Sequence, residues 1–107
     1  MNGVIVIVAY RPKSGKETET LDLVRRRVPT LHSEGLVTER TPIIMRARDG
    51  TIIEGSEWKS PEAIEAAHKN PNVLVMWNRF FEVCDCIPLN QLSESAEMFA
   101  GFEPVRD

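Results

Sequence analysis

The chain has 107 residues, with 13 basic and 16 acidic side chains that leave a net charge of −3, and 42% of its residues are hydrophobic. This length is that of one domain, so we expect a single domain over 1–107, with a core over 4–92 and a docked tail over 93–107. The acidic balance argues against nucleic-acid binding, which favours a basic surface. No apolar run approaches the roughly 18 residues of a membrane span, and no leader segment is visible, so we expect a soluble cytoplasmic protein.

The first two predicted elements are a strand and a helix. Val4–Tyr10 is a nearly continuous run of apolar, mostly β-branched residues, which predicts a strand covered on both faces. A helix with one apolar stripe is predicted next, and Pro29 predicts a kink or an early stop within it. The three arginines at 25–27 belong to this helix, and we interpret them as a solvated face. The stripe is formed by Leu21, Val24, Val28 and Leu31.

A β-hairpin follows the first helix. Two strand-like runs, 41–48 and 51–59, flank the dipeptide Asp49-Gly50. Asp-Gly between two such runs is a strong short-range hairpin signal, because both positions of the tight turn favour residues that tolerate positive φ.

Two helical segments and a last strand complete the pattern. Ser60-Pro61 predicts a helix start with Ser60 as the N-cap. Asn70-Pro71 interrupts this helix, which resumes over 73–84 with a broad apolar face. Ile87–Leu92 predicts a short final strand, and Pro88 favours an edge position for it. The order β-α-β-β-α-β indicates an α+β, ferredoxin-like fold with an antiparallel sheet.

The cysteines and acids form no recognisable metal or redox motif. Cys84 and Cys86 have a C-x-C spacing on a predicted helix, where they diverge, so we interpret them as ordinary thiols. No cluster of acids and histidines has the spacing of metal ligands, and no glycine-rich phosphate loop is present. We therefore expect no metal.

The segment Glu57–Ile64, followed by Ala67 and His68, resembles the antibiotic-biosynthesis-monooxygenase (ABM) family. The similarity lies in a strand that ends in tryptophan, a Ser-x-Glu-Ala helix start, and a histidine shortly after it. It implies a homodimer in which two sheets pack into a dimeric α+β barrel, with a pocket between each sheet and its helices. A second copy would also cover the open face of the apolar strand Val4–Tyr10.

The resemblance implies a small-molecule enzyme similar to the monooxygenases that act on quinol-like or polyketide-like aromatics without a cofactor. In those enzymes pocket residues hold the substrate so that its own carbanion reacts with oxygen. The haem-degrading branch of the family uses an Asn, a Trp and a His. The first strand here has Ala9 and Tyr10 where the Asn would be expected, and His68 and Asn78 fall where the Trp and the His would be. We therefore expect neither haem nor another cofactor.

The candidate catalytic residues are His68, Trp58 and Glu54. His68 shares a predicted helix face with apolar residues, and a neutral imidazole could serve as a general base. Trp58 and Glu54 share one face of their strand. A buried Glu54 would need a cationic partner, for which we expect Arg46 or Arg48 across the hairpin.

The candidate substrate-binding residues are Arg46, Trp77, Phe81 and Tyr10. Several site residues also have a plainer interpretation: core packing for Trp77 and Phe81 together with Phe80, a rim or interface salt bridge for Glu54, and a hydrogen-bonded, partly buried histidine at 68. Two alternatives to the monooxygenase therefore stay open. One is a non-catalytic dimeric ligand-binding or accessory protein, and the other is an isomerase or lyase with His68 as base.

Overall fold

The computed structural model describes residues 3–106. The strands are β1 (Val4–Pro12), β2 (Ile43–Arg46), β3 (Ile52–Trp58), β4 (Cys84–Ile87) and β5 (Glu103–Pro104), and the helices are α1 (Glu17–Ser33), α2 (Pro61–Ala67) and α3 (Pro71–Val83). The strands form one antiparallel sheet in the order β4-β1-β3-β2-β5, and the helices pack on one face of it. This architecture confirms the α+β, ferredoxin-like fold predicted from the order of elements.

Helix α1 runs through Pro29, so the predicted early stop is wrong. Pro29 lies on the exposed side of the helix, whereas Val24, Val28 and Leu31 are buried against the sheet. Packing of this apolar side stabilises the helix on both sides of the proline, since tertiary contacts contribute most of the stability of a helix in a protein.

The hairpin predicted at Asp49-Gly50 is present and joins β2 to β3. Gly50 has a positive φ of 92°, whereas Asp49 does not. Asp49 acts through its side chain instead, because its Oδ1 accepts the backbone N–H of Thr51 at 2.9 Å. The Gly50 N–H donates to the Ala47 carbonyl at 3.0 Å, which closes the turn. Glycine is favoured at such a position because it has no Cβ to clash.

Helix α2 begins at the predicted cap Ser60, and α3 begins after Asn70, where the sequence predicts an interruption. The Ser60 hydroxyl accepts the backbone N–H of Ala63 at 3.1 Å. The Asn70 side-chain oxygen accepts the N–H groups of Asn72 at 2.9 Å and Val73 at 3.2 Å. Each cap satisfies backbone donors that the first helical turn leaves without partners. The break between α2 and α3 is therefore encoded locally.

Strand β4 begins at Cys84, earlier than the predicted start at Ile87. It pairs with β1, with Cys86 opposite Tyr10, and forms one edge of the sheet. Cys84 and Cys86 therefore lie on a strand, where alternate residues share a face, and not on a helix where they would diverge. The apolar periodicity continues across the junction of α3 and β4, and for this reason the pattern does not show where the helix ends.

The segment after β4 crosses the sheet face that the helices leave open. Leu92 is buried there against Ala9 and Ile53, and Phe102 packs beside them. In contrast, Met98 and Phe99 project outward and are 90% and 86% exposed. This segment thus covers part of the open face, and its last strand, β5, pairs with β2.

A matched pair of leucines tests the core. Leu31 is fully buried in α1, whereas Leu74 on α3 is 40% exposed. We expect Leu31→Ala to lower the free energy of unfolding by about 2–5 kcal/mol, because it leaves a cavity. Leu74→Ala should change it by about 0.5 kcal/mol or less. Urea denaturation followed by circular dichroism measures both, and equal losses would contradict this assignment of the core.

Candidate functional site

A buried ion pair joins α1 to the sheet beneath it. The Nη1 atom of Arg27 donates to Oε1 of Glu54 at 3.0 Å and to the hydroxyl of Ser56 at 3.2 Å. Arg27 is 5% exposed and Glu54 is wholly buried. The interpretation of 25–27 as a solvated face is therefore wrong for Arg27, which points inward from the helix.

The cation beside Glu54 comes from α1 and not from the hairpin. The register of the hairpin places Ile44, rather than an arginine, opposite Glu54. Arg46 pairs with Glu103 at 3.3 Å, and Arg48 pairs with Glu94 and Glu97. The expected partnership with Arg46 or Arg48 is wrong because Arg46 lies opposite Ile52, nearer the turn, where it pairs with Glu103, and Arg27 of α1 reaches Glu54 instead.

The two carboxylate oxygens of Glu54 differ in their surroundings. Oε1 accepts from Arg27, whereas Oε2 is buried and has no hydrogen-bond partner within residues 3–106. Burial raises the pKa of the Glu54 carboxyl, and the charge and hydrogen bond of Arg27 offset only part of this rise. Glu54 therefore holds a proton more firmly than a solvated carboxylate does.

Trp58 supports the guanidinium from a second direction. The Arg27 guanidinium carbon lies 5.7 Å from the centre of the buried Trp58 ring, within the range of a cation–π contact. Trp58, Ser56 and Glu54 occupy alternate positions on β3 and so share the face toward α1. The strand thus presents three groups that position one arginine.

A cavity of about 180 Å³ adjoins Arg27 on the helix side of the sheet. Arg27 is the one charged residue among the described residues that line it. Tyr10 and Phe80 stack with their ring centres 5.0 Å apart. A cavity of roughly 150 Å³ can hold benzene, so this one suits an aromatic molecule of one or two rings. The lining residues are Val8, Tyr10, Arg27, Trp77, Phe80, Phe81 and Cys86.

Three of the predicted binding residues meet at this cavity, and one does not. Tyr10 comes from β1, whereas Trp77 and Phe81 come from α3. Phe81 is 62% exposed and lies at the mouth. Arg46 is on β2, beside the edge strand β5, and does not line the cavity. Glu54 and Trp58 do not line the cavity either. Both contact Arg27, which does line it.

His68 lies outside the cavity. It is the C-cap of α2, one position beyond the helix, and its side chain is exposed. Its Nδ1 atom is 2.9 Å from the carbonyl oxygen of Ile64, and its ring packs edge-on against Trp77 at 5.1 Å. The sequence predicts that His68 shares the apolar face of this helix, but Ala67 takes the buried place at the end of α2 and His68 lies beyond it.

Sequence reasoning missed Arg27 and Cys86 as cavity residues. Arg27 is one of three consecutive arginines, and residue type does not distinguish the one that faces inward. A helical projection gives a partial indication, since Arg27 is adjacent to Val28 and lies three positions after the buried Val24. Burial raises the pKa of the Cys86 thiol, and the charge of Arg27 partly offsets this rise.

A second concave region is larger and more open, at about 640 Å³. It lies between α1 and the segment before β2, and its charged side chains already pair with protein groups. His32 contacts Glu39 at 2.8 Å, and Arg40 contacts Glu57 at 2.9 Å. Its lining mixes polar and apolar groups in similar measure, whereas the cavity beside Arg27 is mostly apolar and more enclosed, so that cavity is the stronger candidate site.

A double-mutant cycle tests the buried pair. Arg27→Met leaves Glu54 buried without its cation, so we expect the free energy of unfolding to fall by about 3–5 kcal/mol. Combining it with Glu54→Leu removes both charges and should recover most of that loss. Arg46→Met, at the exposed pair with Glu103, should cost about 1 kcal/mol or less. Losses that simply add in the double variant, measured by urea denaturation, would contradict the coupling.

Comparison with known proteins identifies the fold. No protein-family model and no curated protein sequence matches the chain. Within residues 3–106, no helix is long and apolar enough to cross a membrane, and no group of three His, Cys, Asp or Glu side chains could hold a metal ion. The structure of SnoaB, a cofactor-independent oxygenase from Streptomyces nogalater, matches with a TM-score of 0.69 at 13% identity over 81% of this chain and 88% of that chain. A mutant of SnoaB matches with a TM-score of 0.66 at 14% identity, so the likeness shows a shared fold.

Proposed function

We propose that this protein is a small-molecule oxygenase of the ABM type that binds an aromatic substrate in the cavity beside Arg27 and needs no bound cofactor. The observation that carries the proposal is a single guanidinium among apolar and aromatic cavity walls. The fold shared with a cofactor-independent oxygenase supports it. The cavity volume favours quinol-like substrates of one or two rings over larger polyketide-like aromatics.

The chemistry requires a substrate anion. A phenol or a CH₂ group beside a carbonyl becomes reactive toward oxygen once it loses a proton, because the anion gives up an electron more readily. A fixed cation beside the ring favours that anion electrostatically. In the overall reaction the CH₂ group and O₂ yield a carbonyl group and water, so one oxygen atom is retained and the other leaves as water.

The residues have distinct proposed roles. Trp77 and Phe81 hold the aromatic ring, with Tyr10 on the opposite wall. Arg27 stabilises the anionic oxygen of the substrate. Glu54 acts through Arg27 and is a positioning residue in this scheme, as is Trp58. His68 has no role in it, because its ring reaches Trp77 rather than the cavity.

A second candidate is a ligand-binding protein without catalysis. The observation that favours it is the absence of His, Asp and Glu among the described residues that line the cavity, since a general base must come within hydrogen-bonding distance of the proton it removes. The same observation weighs against an isomerase or lyase that uses His68 as base.

We also propose that two copies associate through the sheet face opposite the helices. Ile5, Ile7 and Ile43 share that face and are 59%, 49% and 64% exposed. Apolar side chains clustered on one exposed face mark an association surface. A homodimer would bury them, as the resemblance to the ABM family implies.

Oxygen uptake tests the proposed reaction. We expect the protein to accelerate oxygen consumption by 1,4-dihydroxynaphthalene beyond the rate in protein-free buffer. Phe81→Ala removes an aromatic wall and should lower kcat/KM about tenfold, whereas Leu74→Ala, on the outer side of the same helix, should stay within about twofold. An oxygen electrode measures all three. Binding of the quinol without protein-dependent oxygen uptake would favour the second candidate.

Sedimentation velocity tests the association surface. The wild type should sediment as a dimer, and Ile7→Lys should yield a monomer, because it places a charge in the centre of the apolar face. Val75→Lys is the control, since Val75 is similarly exposed but lies on α3. A monomeric wild type, or equal effects of the two variants, would contradict this surface.

A further inference from the structure

We propose that Arg27 serves one anion at a time, so that an aromatic anion bound in the cavity takes over the guanidinium while Glu54 accepts a proton. The inference rests on the proposed function in using the same cavity, and it goes further by naming the ligand class, a monoanionic aromatic, and a proton-linked mode of binding.

The guanidinium of Arg27 contacts Glu54 and also borders the cavity. Arg27 donates to Glu54 at 3.0 Å on its sheet side, and it also lines the cavity. The same cation therefore faces a buried carboxylate and the space where a ligand would lie. A ligand oxygen and Glu54 would therefore compete for a single positive charge.

A bound anion would change the net charge of the buried site. Arg27 and an ionised Glu54 together are neutral, so a bound anion would leave one negative charge in a site walled by aromatic rings. Such uncompensated buried charge is strongly unfavourable, and buried groups neutralise instead. Protonation of Glu54 restores neutrality. Its Oε2 atom can carry that proton without losing any hydrogen bond, because it has no partner among the described residues.

The other groups around the ion pair are neutral. Tyr10 on β1 and Cys86 on β4 are the titratable neighbours, and burial raises the pKa of both, so that they stay neutral near neutral pH. Val8 and Ile44, which flank Glu54 in the sheet register, carry no charge. Phe80 from α3 carries none either. Glu54 is therefore the group that takes the proton.

The proton balances in either of two cases. When the ligand arrives already ionised, the proton comes from solvent and one O–H bond forms on Glu54. When the ligand arrives as a phenol, its own O–H bond breaks and that proton leaves to solvent, while Glu54, which does not line the cavity, takes one proton from solvent, so the net proton uptake is zero and nothing is oxidised or reduced. The second case produces the phenolate that the proposed oxidation requires.

Isothermal titration calorimetry with 2-naphthoate and its neutral analogue 2-naphthamide tests the inference. Titrations in phosphate and in Tris give the number of protons taken up, because the two buffers differ in ionisation enthalpy. We expect close to one proton per 2-naphthoate bound, and none for 2-naphthamide. Between about pH 6 and about pH 8, the Kd of 2-naphthoate should rise as much as about tenfold per pH unit, since proton uptake becomes harder as protons become scarce.

The variant Glu54→Gln separates this role from a structural one. It removes the competing charge, so 2-naphthoate should bind without proton uptake and about tenfold more tightly than to wild type at the upper end of this pH range. A residue with a merely structural role would weaken binding when replaced. Glu103→Gln, at the exposed pair with Arg46, is the matched control and should behave as wild type.

The wild-type titration decides the question even where a variant fails to fold. Binding of 2-naphthoate without proton uptake overturns the inference, and so does the absence of 2-naphthoate binding. Failure of the proposed oxygenase looks different, because it leaves proton-linked binding intact and abolishes only oxygen uptake with the quinol. The two proposals are therefore separable.

Discussion

The contact between Arg27 and Glu54 constrains the rest of this structure. A carboxylate with no exposure cannot remain ionised in an apolar interior without a partner, and Arg27 supplies that partner from a different element. The pair therefore specifies how α1 lies across β3, because a rotation of the helix would separate the charges. Ser56 and Trp58 narrow the placement further, since both contact the same guanidinium. A polar contact that orients the helix also places a cation beside the cavity.

The two faces of the sheet have different environments, because successive side chains of a strand point to opposite faces. Along β1, Val8 and Tyr10 face the helices and line the cavity, whereas Ile5 and Ile7 face the opposite side and remain exposed. The strand is apolar on both faces because both require cover. The helices cover one face, and we propose that a second copy of the chain covers what the segment around Leu92 leaves open on the other.

The cavity exists because aromatic residues of α3 lie over the edge of the sheet where β1 and β4 pair. Trp77, Phe80 and Phe81 recur at helical spacing, and this spacing is equally typical of a packed core. Phe80 fills the core by stacking on Tyr10, whereas Phe81 is largely exposed at the cavity mouth. Core packing is therefore the observed role of Phe80, whereas the binding role of Phe81 stays a prediction.

Much of the fold could be predicted from the sequence by itself, because it depends on local interactions. The hairpin at Gly50, the cap at Ser60 and the cap at Asn70 depend on residues within a few positions of one another, so the order of elements followed and with it the fold class. The site could be predicted less well, because its central contact joins residues 27 positions apart in the chain. Sequence indicated that Glu54 would need a cation, but only the tertiary structure decided that Arg27 provides it and that His68 lies outside. Which side chains meet depends on how helices cross a sheet, and that geometry is set by packing among distant residues rather than by the neighbours of each one.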